Sequence, residues 1–360
     1  MKLTHALRLL MCTMCMSFAM AVYAVAQERA CFEHYTTDQG LNSNDVYCLA
    51  QDENGFVWGC TSNGLFRFDG HYFKRFTLDN YPGMFRNDLR RIECLGNGII
   101  TVGGYNGTIV FYDKQRDVFE DKTAKDFFTS YFKEIRGFVR SGSSNDYYMF
   151  TSGGVYLYDV KTESFSTSFP AYNAMKDLQV YSMNMDSYGR FWLGTSNGLQ
   201  IYDKNGTLVK SEFLSNSIKA FVSGIIRLNE RQYLVSFVLS DLWLFTINED
   251  GSVPSPQKIH KPFENITAIL KDKRGRVWFA TDGEGLWYSD SVAKGEFFQL
   301  SPYGEDAVYA TKKIYSMLED KSGDIWIGTR NSGLWKYSRD QFSGVVFSKN
   351  IGFPSAIVTS

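Results

Sequence analysis

Arg90 and Arg91 are adjacent, and two guanidinium groups side by side offer forked donors suited to carboxylates or sugar hydroxyls. Segments expected to be loops carry more side chains of this kind: Asn44, Asp45, Asn63, Tyr105, Arg136, Tyr181, Asn197, Asp282, Glu284, Arg330 and Asn331. Planar amides, carboxylates, guanidinium groups and aromatic faces are what a polar, sugar-like or anionic ligand needs for recognition. The narrower candidate set is Arg90, Arg91, Tyr105, Arg136, Asn197, Asp282 and Arg330. Each would also suit an ordinary solvated rim.

Catalytic chemistry is harder to assemble. Beyond residue 26 the histidines are His34, His71 and His260, none in a local Ser/His/Asp arrangement. Neither a His-Glu-x-x-His nor a phosphate-loop pattern occurs. Gly103-Gly104-Tyr105-Asn106-Gly107 sits where a hairpin is needed, so these read as turn glycines. Asp52, Asp186, Asp272 and Asp320 recur, but without the dense carboxylates of a calcium loop, so they read as turn caps. No metal and no cofactor is expected. Paired carboxylates for cleaving a polysaccharide remain open, because distant segments can meet.

The elements that position these residues come from an internal repeat. Asp52 to Asp69 reads DENGFVWGCTSNGLFRFD, and Asp186 to Asp203 reads DSYGRFWLGTSNGLQIYD. Asp272 to Tyr288 and Asp320 to Tyr337 are two further strong copies, and three weaker ones lie between. Gly64, Gly107, Gly154, Gly198, Gly285 and Gly333 mark six of seven copies, spaced by about 43 to 48 residues, with a double gap over a degenerate fifth copy. Each copy reads as strand, Asp-x-x-Gly turn, strand, Thr-x-x-Gly hairpin, strand, and a more polar fourth strand. The fold expected is all-β: a seven-bladed β-propeller with four-stranded blades. Asp-x-x-Gly turns should lie on one face and Thr-x-x-Gly hairpins on the other, with the candidate residues gathered around a central channel. Trp58, Trp192, Trp278 and Trp326 recur in register and are expected to pack between blades.

The unit Asp-x-x-Gly-x-x-Trp-x-Gly-Thr-x-x-Gly-Leu-x-x-Tyr-Asp resembles the two-component regulator propeller repeat. Tyr35 to Leu41, together with Phe66 to Gly70, is similar to that family's first repeat. The pattern is unlike WD40, which would show Gly-His and Trp-Asp. Cys60 stands where the repeat has glycine. The resemblance implies a periplasmic sensor propeller of a hybrid histidine kinase of Bacteroidetes. It also implies downstream sensor and kinase domains in a parent protein as partners. No kinase-type histidine motif and no helix-turn-helix pattern occurs within these residues.

Composition sets the remaining bounds. Net charge is -1, with Lys+Arg 38 against Asp+Glu 39, so no nucleic acid is an expected partner. Lys2 and Arg8, an apolar run from Leu9 to Val22 and Ala24-Val25-Ala26 read as a signal peptide over 1–26. Residues 27–350 are assigned to the propeller and 351–360 to the start of a further repeat or a truncated tail. Residues 32–37 look like a fourth strand lacking its own blade, and Phe342 to Phe347 like the fourth strand of the seventh copy. Cys31, Cys48, Cys60 and Cys94 allow disulfides in three pairings, while a buried thiol is the simpler reading for Cys48. The expected function is periplasmic recognition of an oligosaccharide for signalling, the alternative a propeller lyase or glycosidase.

Overall fold

The structure is a computed structural model that describes residues 31–84, 86–96, 98–104, 107–122, 134–142, 146–212, 221–238, 240–300 and 313–338. Phe32–Tyr337 forms one compact unit. The other unit, Met1–Cys31 with Ser338–Ser360, lies almost wholly outside the described residues, as do the expected signal peptide and tail. Among the described residues no helix is long and apolar enough to cross a membrane.

Seven antiparallel sheets of four strands each make up the unit, as the repeat predicts. The innermost strands are Val46–Gln51, Arg91–Gly96, Ile135–Arg140, Val180–Met185, Val222–Arg227, Ile266–Lys271 and Ile314–Glu319, belonging to blades 1 to 7. Each touches the next, and the seventh touches the first, so the ring closes around a channel. The degenerate fifth copy forms a full blade, because the near-continuous apolar runs in Gln232–Phe237 and Leu242–Thr246 suffice for burial without the turn signature.

One carboxylate organises each strong copy. In blade 4, Asp186 Oδ1 accepts from the backbone N–H groups of Tyr188 and Arg190, at 2.9 and 3.0 Å. Its Oδ2 accepts the Trp192 indole N–H at 2.9 Å. The same indole bond joins Trp58 to Asp52, Trp278 to Asp272 and Trp326 to Asp320, at 3.0, 2.9 and 2.8 Å. The turn aspartate therefore caps its turn and also orients the tryptophan that packs on the following blade. Trp58 meets Tyr112, Trp192 meets Phe245, Trp278 meets Tyr337 and Trp326 meets Phe68. At the opposite face the threonine hydroxyls of Thr61, Thr151, Thr195, Thr281 and Thr329 each donate to the carbonyl of the hairpin glycine. Gly64 has φ +94°, and a side chain there would run into the Phe76 carbonyl, so glycine is needed twice over. Cys60 is accommodated in the regular ladder opposite Cys48. Cys48, Cys60 and Cys94 are free thiols.

The seventh blade departs from expectation. Its fourth strand is the N-terminal Cys31–Tyr35, in the order Cys31–Tyr35, Leu334–Ser338, Ile325–Thr329, Ile314–Glu319. Phe342 to Phe347, assigned that role from sequence, lies outside the described residues, and both edges of Leu334–Ser338 are already occupied. A strand has two hydrogen-bonding edges, and the segment before blade 1 has taken the free one. His34 stacks on Trp335 with centroids 3.9 Å apart, and Lys336 reaches Glu33 at 3.3 Å. Tyr35 stacks on Trp326 at 5.9 Å and tilts against Phe68 of blade 1 at 5.1 Å. Tyr35 thus fastens both sides of the seam. Tyr35→Ala is expected to lower stability by about 2 kcal/mol, read as the shift in urea midpoint. An unchanged midpoint would mean that the seam carries no stability.

Candidate functional site

The loops leading into the inner strands and the Thr-x-x-Gly hairpins share one face, at the mouth of the channel. A β-bulge at the start of the inner strand in six of the blades shapes this mouth. In blades 1, 3, 4, 5, 6 and 7 the pairing register skips Tyr47, Arg136, Tyr181, Ser223, Thr267 and Tyr315. In blade 2 the equivalent residue is Arg90, whose N–H donates to the Gly103 carbonyl at 3.2 Å beside the Arg91–Gly103 pair. Bulges re-aim side chains that a regular ladder would hide between blades.

The bulge residues form an arc of rings and guanidinium groups over blades 7, 1, 2, 3 and 4. Tyr315 meets Tyr47 at 5.4 Å, and the Arg90 guanidinium lies 3.6 Å from the Tyr47 ring centre. Arg136 lies 4.2 Å from the Tyr181 ring centre, and Tyr181 packs on Phe221 at 5.2 Å. Blades 5 and 6 interrupt the arc with hydroxyls turned inward: Ser223 bonds Ser236, and Thr267 donates to the Ile314 carbonyl, both at 2.7 Å. Carboxylates balance the cations: Asp88 is 3.1 Å from Arg90, and Glu134 is 2.8 Å from Arg136.

The sequence-derived candidates divide accordingly. Arg90 and Arg136 sit in the arc. Arg91 lies one residue deeper, facing the Cys48 thiol and Glu93. Nε of Arg91 and of Arg136 are buried and find no hydrogen-bond acceptor among the described residues. Arg330 and Asp282 are exposed on neighbouring hairpins, linked through Lys313: the Arg330 N–H donates to its carbonyl at 2.9 Å, and its ammonium is 4.0 Å from Asp282. Both act electrostatically on Tyr315, which ties them to the arc. Asn197 is exposed on the blade 4 hairpin, and no hydrogen bond or ring contact joins it to the others. Tyr105 lies outside the described residues.

Tyr47, Tyr315 and Glu93 were not among the narrower candidates. The two tyrosines could have been found by aligning all seven copies at the position of Arg90. Glu93 could not, since its significance depends on depth. It follows Arg91 by two residues on the same strand face. Its carboxyl has no hydrogen-bond donor among the described residues, and burial pushes it up to about 7 despite Arg91. Burial likewise raises Cys48 and Cys60, so neither is a ready thiolate. Among the described residues no group of three or more His, Cys, Asp or Glu side chains could hold a metal ion.

A family profile described as "Two component regulator propeller" matches residues 40–63, 175–197, 260–283 and 309–331. Four of the chain's blades carry the two-component regulator propeller repeat. The four matched segments cover the inner strand and the Thr-x-x-Gly hairpin in blades 1, 4, 6 and 7, so they include Tyr47, Tyr181 and Tyr315 but not Arg90, Arg91 or Arg136. No curated protein sequence matches this regulator propeller chain significantly. Among solved structures, it is similar to the extracellular domain of a hybrid two-component system from B. thetaiotaomicron, with TM-score 0.68, 19% identity, and coverage of 86% of this chain and 42% of that one. The extracellular domain of a one-component system from the same organism gives TM-score 0.63 at 20% identity, covering 85% of this chain and 39% of that one. Virginiamycin B lyase from Staphylococcus aureus gives TM-score 0.61 at 12% identity, covering 86% and 98%. At these identities the likeness shows the fold. The chain spans about two fifths of the length of the two extracellular domains.

Proposed function

We propose that this propeller is the ligand-recognition part of an extracytoplasmic two-component sensor, and that it binds a hydroxyl-rich oligosaccharide at the channel mouth. The observation that carries this reading is the arc itself. Three tyrosine rings and two guanidinium groups lie side by side there, and the Nε donors of Arg136 and of the deeper Arg91 find no acceptor among the described residues. A sugar ring stacks on tyrosine through its C–H face, and its hydroxyls accept from arginine while donating to the neighbouring Asp88 and Glu134. The near balance of cations and carboxylates favours a neutral, hydroxyl-rich ligand over a strongly charged one. Location outside the cytoplasm is supported by the fold shared with extracellular domains and by the signal-like N-terminus. Signalling would require kinase domains elsewhere in a parent protein.

Arg90→Ala combined with Arg136→Ala is expected to weaken oligosaccharide binding by at least about 1.5 kcal/mol, the low end for charge-assisted bonds. Melting should move little, since each arginine is partly exposed at the rim, at 26% and 20%, and its ion pair with Asp88 or Glu134 is a surface one. Calorimetric titration against an oligosaccharide panel reads this out. Unchanged affinity for a confirmed ligand would remove the mouth as the site. Turnover of a panel member by the parent protein would replace recognition with a lyase or glycosidase activity.

A further inference from the structure

The opposite face, that of the Asp-x-x-Gly turns, carries a second concave site. A cleft of about 1030 Å³ opens between blades 3 and 4 and reaches the end of the inner strand of blade 5. Its floor is aromatic. Tyr148 packs edge-on against Phe169 and Phe191, with centroids 5.3 and 5.0 Å apart. One wall is Tyr188, 49% exposed and backed by the Arg190 guanidinium 4.8 Å from its ring centre. The size is that of a site for a small organic molecule.

The cleft also carries a surplus of positive charge. Arg140, Lys204 and Arg227 line its margin and are exposed. The one acidic lining residue is Asp186, and it is fully engaged. Besides the turn amides and the Trp192 indole it binds Arg190 Nε at 2.6 Å. Lys204 and Arg227 form no ion pair among the described residues; Arg227 Nε donates only to the Asn229 carbonyl, at 3.1 Å. Elsewhere on this face several cations are paired with carboxylates. Lys114 sits 3.2 Å from Asp52 and 2.8 Å from Glu53, Arg276 is 2.6 Å from Asp290, and Lys336 is 2.9 Å from Asp324. Lys204 and Arg227 thus stand beside an aromatic hollow with no ion pair among the described residues.

We propose that the cleft between blades 3 and 4 binds a small aromatic carboxylate, its ring against Tyr188 and Tyr148 and its carboxylate held by Lys204 and Arg227. A flat ring gains from the aromatic floor by offset or edge contact. A carboxylate supplies the charge that the margin lacks. This site differs from the mouth in face, in charge and in ligand class, and it stands independently of the sensor reading.

The test uses 2-naphthoate as probe and 2-naphthalenemethanol as its neutral counterpart, titrated by calorimetry into the whole chain. Saturable naphthoate binding in the millimolar range or tighter is expected, with the alcohol at least about tenfold weaker. Lys204→Ala with Arg227→Ala should weaken naphthoate at least about tenfold while leaving the alcohol within about twofold. Tyr188→Ser should weaken both. Arg90→Ala with Arg136→Ala, at the mouth, should change neither. Absence of saturable naphthoate binding, equal affinity for acid and alcohol, or indifference to the Lys204/Arg227 pair would each overturn the proposal. Loss of naphthoate binding in the mouth variant would move the probe to the other face, with the same result.

Discussion

Trp192→Ala lowers stability by about 3–5 kcal/mol, the range for deleting a large buried aromatic. Trp192 is fully buried, stacks on Tyr233 at 4.6 Å and meets the edge of Phe245 at 5.6 Å, both from blade 5. Truncation therefore opens a void at the boundary between blades 4 and 5 instead of within one blade. It also removes a donor from a buried carboxylate, although Arg190 Nε and two turn amides still hold Asp186. Trp192→Phe separates the two contributions. It keeps most of the packing and forfeits the indole bond, so a loss of about 1–2 kcal/mol is expected. Urea denaturation followed by circular dichroism measures both. A Trp192→Ala variant with the parent's midpoint would refute the aspartate–tryptophan clasp as the joint between blades.

The second large effect concerns Glu93 and depends on pH. Burial raises its carboxyl from 4.5 to about 7 in the folded chain. In the unfolded chain the group titrates near its ordinary value. Between these two values the folded state binds the proton that the unfolded state has lost, so stability falls as pH rises through the window. The contribution is fully present below about pH 4.5 and lost above about pH 7; the difference amounts to about 3 kcal/mol. Glu93→Gln keeps the shape and cannot ionise. It is expected to be more stable than the parent by up to about 3 kcal/mol at pH 8 and about equal to it at pH 4. Melting temperatures across that range decide the matter. A parent whose stability rises over this window, or a glutamine variant with no gain at pH 8, would show that the carboxyl is solvated in the channel.

The sequence by itself determined the architecture of this protein, because the signals that specify a blade are local. An Asp-x-x-Gly turn, a Thr-x-x-Gly hairpin and alternating apolar residues make their hydrogen bonds within about 45 residues, and seven copies can be counted. The buried tryptophans followed from register alone, and Arg90, Arg91 and Arg136 were already among the candidates, the first two as an adjacent pair. Closure was decided only in three dimensions. Cys31–Tyr35 looks in sequence like a strand without a blade, and only the closed ring brings it to the free edge of Leu334–Ser338. The aspartate–indole bonds, the bulges that turn Tyr47 and Tyr315 to the mouth, and the unmatched charges of the Tyr148 cleft likewise depend on what neighbouring blades supply. Glu93 makes the same point for a single group: a glutamate on a strand looks ordinary in sequence, and only the walls of a closed ring remove enough water to change its charge.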